Sequence, residues 1–93
     1  VSNKRFNSVW DAIETTPEAA ENMRLRSSLI VALKSHLIRA GLGQAQIAKL
    51  LGVTQPRVSD LMRGKINLFG LDALVNMAVA AGLRVRLSLR KAA

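Results

Sequence analysis

Residues 46–65, QIAKLLGVTQPRVSDLMRGK, set two short apolar-patterned segments on either side of one Gly-Val pair. Gly52 stops the first segment and Gly64 the second. A helix of about eight residues does not hold in water by itself, so these two must pack on each other and on a larger body. Thr54 is placed to cap the second segment. Pro56 is tolerated in a first helical turn, where amides have no helical acceptor. The pattern predicts one helix over 44–51, with Ile47, Ala48, Leu50 and Leu51 inward, and another over 55–63, with Val58, Leu61 and Met62 inward. Thr, Gln, Pro, Arg, Ser and Asp at the start of the second helix cannot all be core.

The rest of the chain supplies that body. Residues 1–7 are polar and expected to fray. SVWDAIE, residues 8–14, reads as a short helical turn whose Val9, Trp10 and Ile13 can dock on the body. Thr16, Pro17, Glu18 and Glu21 mark a helix start. That helix is expected to reach Ala40, with Leu29, Ala32, Leu33, Leu37 and Ala40 on one face and Gly41 closing it. LDALVNMAVAA, residues 71–81, gives the last helix, with Leu71, Leu74, Val75 and Ala78 buried, and Gly82 ends it. The expectation is an all-α fold of five helices in one domain over 1–93, residues 1–16 forming an arm and short helix.

The tail changes period. In LRVRLSLR, residues 83–90, Leu83, Val85, Leu87 and Leu89 alternate with Arg84, Arg86, Ser88 and Arg90, a strand pattern. The chain has no second good strand, so residues 83–93 are expected to pair with the same strand of another copy, or with a strand of another protein.

The chain has 14 Lys and Arg against 6 Asp and Glu, a formal charge of +8 over 93 residues. Residues 1–21 carry two bases and four acids, or −2, and residues 22–93 carry twelve bases and two acids, or +10. Such an excess on a small body attracts polyanions, nucleic acid before anionic membrane. No cysteine is present, which excludes a disulfide scaffold and a thiolate metal site and fits a reducing cytoplasm. The chain begins at Val1 without an initiator Met, and no signal peptide or membrane-length apolar run is visible. His36 stands alone in the middle of a helix and reads as a packing or surface residue rather than a ligand. Catalysis lacks parts: no His lies beside a nucleophile, and the acids of 11–21 lack metal-type spacing. No enzyme activity, metal or cofactor is expected.

Two short helices joined by a turn of three or four residues containing Gly make a helix-turn-helix unit, here at 44–63. The second helix of such a unit must show one face to solvent in order to enter a major groove. Opposite Val58, Leu61 and Met62 lie Pro56, Ser59, Asp60 and Arg63, with Gln55 at the tip and Arg57 on a flank. Asp60 could accept from cytosine, or pair with Arg57 or Arg63 one turn away; the second role avoids a bare carboxylate near phosphates.

GQAQIAKLLGVTQPRVSDLMRGK resembles the helix-turn-helix of the phage-repressor (XRE) family, with Ala48, Gly52, Val58 and Leu61 at its packing positions. The flanks, VWDAI…NMRLRSSLIVALKSHLIRAGL and KINLFGLDALVNMAVAAGLRVRLS, resemble small HigA-like antitoxins of bacterial toxin–antitoxin pairs. The resemblance covers nearly the whole chain. It implies a phage-repressor-like DNA-binding domain that represses its own promoter as a homodimer on an inverted-repeat operator in double-stranded DNA, and that neutralises a RelE/HigB-like toxin. By position it implies that Gln44 clamps a phosphate and that Gln55 reads a base edge, adenine being its natural bidentate partner. Arg57 would reach guanine or a phosphate, Ser59 and Arg63 would face the groove, and Lys65, with Lys49 behind it, would take phosphates. Thr54 would cap and touch the backbone, and Pro56 could touch a thymine methyl. Gly43 departs from the family's usual Ser or Thr cap. The acidic segment 11–21 is the expected toxin contact. A stand-alone repressor without a toxin, and a protein-interaction module for RNA or polymerase, remain the alternatives.

Overall fold

The computed structural model describes residues 16–92, and the chain enters its first helix there at a capping threonine. Thr16 Oγ1 accepts from the Ala19 amide at 3.1 Å, and Pro17 fills the first helical position. Helix α1, Pro17–Arg39, is long enough to span the domain. Its first turns carry an exposed Glu21–Arg24 ion pair, in which the Arg24 guanidinium holds the Glu21 carboxyl below its ordinary range. Three further α-helices follow: α2, Gln44–Leu51; α3, Gln55–Met62; and α4, Leu71–Ala80. A single 3-10 turn, Ile66–Leu68, separates α3 from α4.

The link between α2 and α3 is Gly52, Val53 and Thr54. Gly52 has φ 70, where a Cβ would strain the backbone. That turn lets the amides of Gly52 and Val53 both donate to the Ala48 carbonyl, which ends α2 within one residue. Thr54 then caps α3, its Oγ1 accepting from the Arg57 amide at 3.4 Å. At Gly43 the missing side-chain cap of α2 is partly replaced from the other direction: Gln46 Oε1 accepts from the Gly43 amide at 2.9 Å.

One core joins the four helices. Ile30, Leu33 and Leu37 of α1 meet Ile47, Ala48 and Leu51 of α2, Val58 and Leu61 of α3, Phe69, and Leu74 and Met77 of α4. His36 Nε2 lies 2.9 Å from the Ala81 carbonyl oxygen, so the lone histidine ties α1 to the end of α4 as a packing residue.

Several expectations need correction. The described residues hold four α-helices, and the expected fifth, at 8–14, lies outside them. No strand forms among the described residues: 83–92 follow Gly82 without regular structure, because a single chain offers this segment no ladder partner. Leu83 packs on the core, whereas Leu87 and Leu89 are 79% and 87% exposed. Helices α1, α3 and α4 each stop one residue short of the expected end, at Arg39, Met62 and Ala80. Leu50 is exposed, since an eight-residue helix turns only the arc of Ile47, Ala48 and Leu51 inward. Ala40, at the C-cap of α1, is exposed too.

The remaining misplacements form a set. Leu29, Ala32, Leu71 and Val75 were expected inside, but Ala32 is exposed and the other three are only partly buried. All four line one apolar groove of about 390 Å³ between α1, α4 and the tail, together with Val85 and Leu87. Periodicity marks these positions as apolar, and the single chain leaves them uncovered.

Candidate nucleic-acid interface

Helix α3 buries Val58 and Leu61 completely and Met62 in part, which turns its opposite side outward. Gln55 and Pro56 stand exposed in its first turn, beside the exposed cap Thr54. Ser59 and Asp60 are partly buried along the same side, and Arg63, the C-cap, is exposed. Gln44 is exposed at the first position of α2, and Lys49 at its last turn. Lys65 is exposed just past Gly64, whose φ of 70 turns the chain sharply out of α3. The surface therefore carries short polar groups along one helix, with cations at its end.

Two charged side chains differ from expectation. Asp60 pairs with neither Arg57 nor Arg63; its carboxylate lies 3.6 Å from Lys65 Nζ. The sharp exit at Gly64 brings Lys65 back over the last turn, where the Lys65 amide also donates to the Asp60 carbonyl at 3.1 Å. Arg57 is partly buried. Its guanidinium carbon sits 4.1 Å from the centre of the Phe69 ring, and Nη1 donates to the Leu68 carbonyl at 2.7 Å. It is thus held by the loop after α3 instead of reaching freely outward.

Sequence reasoning missed a second arginine on that loop. Arg26 of α1 donates from Nη1 to the Ile66 carbonyl at 3.2 Å, while its Nε is buried without a protein partner. Nothing local in the sequence marks Arg26, because its partner is 40 residues away. Among the described residues no group of His, Cys, Asp or Glu could hold a metal ion, and no helix is long and apolar enough to cross a membrane.

Two eight-residue helices around a three-residue turn, packed under a longer helix and presenting the polar side of the second, define a helix-turn-helix domain. A family model described as a helix-turn-helix domain matches residues 13–90. A solved structure provisionally described as an XRE family transcriptional regulator is 34% identical, with a TM-score of 0.73 over 78% of this chain and 82% of that one. No curated protein matches the chain. The chain belongs to the helix-turn-helix domain family and is of its XRE type.

Proposed function

We propose that the chain is a sequence-specific DNA-binding transcriptional regulator acting in the cytoplasm as a homodimer, and that it is the antitoxin of a toxin–antitoxin pair. The observation that carries DNA binding is helix α3: its apolar side packs on the core through Val58, Leu61 and Met62, and its other side offers Gln55, Pro56, Ser59 and Arg63, as a helix that enters a major groove must. Gln55 is the base reader in this assignment. Gln44, Lys49 and Lys65 are the phosphate contacts and fix register; the salt-dependent part of the affinity comes from the lysines, with Lys65 held back by Asp60.

The dimer rests on the tail and its groove. Beyond Leu83, whose amide donates to the Ala78 carbonyl, the tail up to residue 90 has no regular structure; Val85 and Leu87 are exposed beside Leu29, Ala32, Leu71 and Val75, and Leu89 is exposed further along. A second copy pairing along this strand pattern would cover both. Two half-sites about 34 Å apart would then follow from the two-fold symmetry. The antitoxin role rests on the likeness of the flanking segments to HigA-like antitoxins, with the acidic residues 11–21 facing a basic toxin.

The test is a gel-shift series in rising salt on the DNA upstream of the chain's own gene, against a scrambled duplex. Selective, salt-sensitive binding is the expected result. Equal weak binding to both duplexes would mean that the +8 charge only attracts polyanion. Co-purification with the product of an adjacent small basic reading frame tests the antitoxin role separately. A selective binder without such a partner is a stand-alone regulator.

A further inference from the structure

Arg57 stands where a long cationic side chain on the recognition helix would be expected to read a base. Its surroundings assign it other work. The planar guanidinium lies over Phe69 at 4.1 Å, and Nη1 is bound to the Leu68 carbonyl at 2.7 Å. Phe69 is itself 1% exposed and part of the core, so the platform under Arg57 is packed in place by the helices around it. Arg26 holds the Ile66 carbonyl of the same loop from the side of α1. Residues 65–69 are thus gripped from both sides, by one arginine from the recognition helix and one from the longest helix of the domain. This loop begins with Lys65, and Lys65 returns to Asp60 on α3.

We infer that Arg57 is a positioning residue: through Phe69 and the Leu68 carbonyl it locks the angle of α3 to the 65–69 loop, and base discrimination falls to Gln55, Ser59 and Arg63. The inference rests on the DNA-binding reading for its functional half, while the lock itself is a property of the free protein. Stacking of a guanidinium on a ring is a geometry that lysine does not reproduce. Arginine has five N–H donors in a rigid fork, and one of them is engaged at Leu68, so the outer donors can still meet a phosphate. Such a contact carries no sequence information.

The experiment compares the wild type, Arg57→Lys, Arg57→Ala and Phe69→Leu in two readouts. The first is a double-mutant cycle on thermal stability without DNA, pairing Arg57→Lys with Phe69→Leu. The lock requires the two changes to be coupled, the double variant being little worse than the worse single one; additive losses would overturn it. The second readout is affinity for the preferred duplex and for each single-base variant of it. Arg57→Lys is expected to weaken all duplexes alike, by roughly tenfold or less, and to leave the rank order of base variants unchanged. Relaxed preference at one base pair in Arg57→Ala, with Phe69→Leu normal there, would make Arg57 a base reader and overturn the inference. A wild type that binds DNA without any preference would refute the functional half along with the DNA-binding reading, whereas the stability cycle would still decide the lock. Should Phe69→Leu fail to fold, Phe69→Met, which fills the core without an aromatic face, replaces it in the same cycle.

Discussion

Lys65 Nζ lies 3.6 Å from the Asp60 carboxylate, across the turn that Gly64 makes at the end of the recognition helix. The pair is partly exposed, so it adds little to stability. Its consequence is electrostatic. A carboxylate at the edge of the side proposed to face DNA would repel phosphate, and it occupies the cation nearest to it. Asp60→Asn keeps the shape and removes the charge. Affinity for all duplexes is expected to rise, and the slope of log affinity against log salt to steepen by about one unit, as Lys65 becomes free to displace a counterion. A selective loss at a cytosine-containing position, measured by titration on single-base variants, would instead make Asp60 a reader.

Gln55→Ala tests the base reader. The side chain stands exposed in the first turn of α3, and nothing in the fold depends on it. The loss on the preferred duplex is expected at about 1–3 kcal/mol, with binding to scrambled DNA nearly unchanged. An intact preference for the preferred duplex would remove Gln55 from the assignment.

Gly52→Ala tests the turn without touching a contact. A Cβ there would meet no atom within 4 Å, so only the left-handed backbone is penalised. Chemical denaturation is expected to show a loss of about 1–2 kcal/mol. A much larger loss would mean that the angle between α2 and α3 had changed, which selective DNA binding would also report.

Truncation tests the interface. Leu83 packs on the core and is retained, and residues 84–93 are removed. The full chain is expected to sediment as a dimer, and the shortened protein to keep its helical signal and sediment as a monomer. A truncated protein that remains dimeric would refute pairing through the tail.

Much of this was legible in the sequence because it depends on neighbours along the chain. The caps at Thr16 and Thr54, the stops at Gly41, Gly52, Gly64 and Gly82, and the inward positions Val58 and Leu61 follow from local conformation and helical period. The exposure of Gln44, Gln55 and Pro56 followed as well, since each lies off the apolar stripe of a short helix, and that of Lys65 because it lies just past the glycine that ends α3.

Leu29, Ala32, Leu71 and Val75 show where that logic stops. Period alone marks a side chain as apolar-facing, but what covers it depends on the elements packed opposite, and here an open groove lies there instead of core. The tail is similar: alternation identifies a strand pattern, yet a ladder needs a partner that the single chain does not supply. The partners of Arg26 and Arg57 were decided only by the tertiary structure. A long charged side chain has many reachable partners along the sequence, and the fold chooses among them by bringing the 65–69 loop, 40 residues from Arg26, within hydrogen-bond distance. The sequence by itself determined the four described helices to within a residue at their ends, and which side of α3 faces out. Tertiary packing decided which of that helix's charges are free to meet DNA, because only packing fixes distances between residues far apart in the chain.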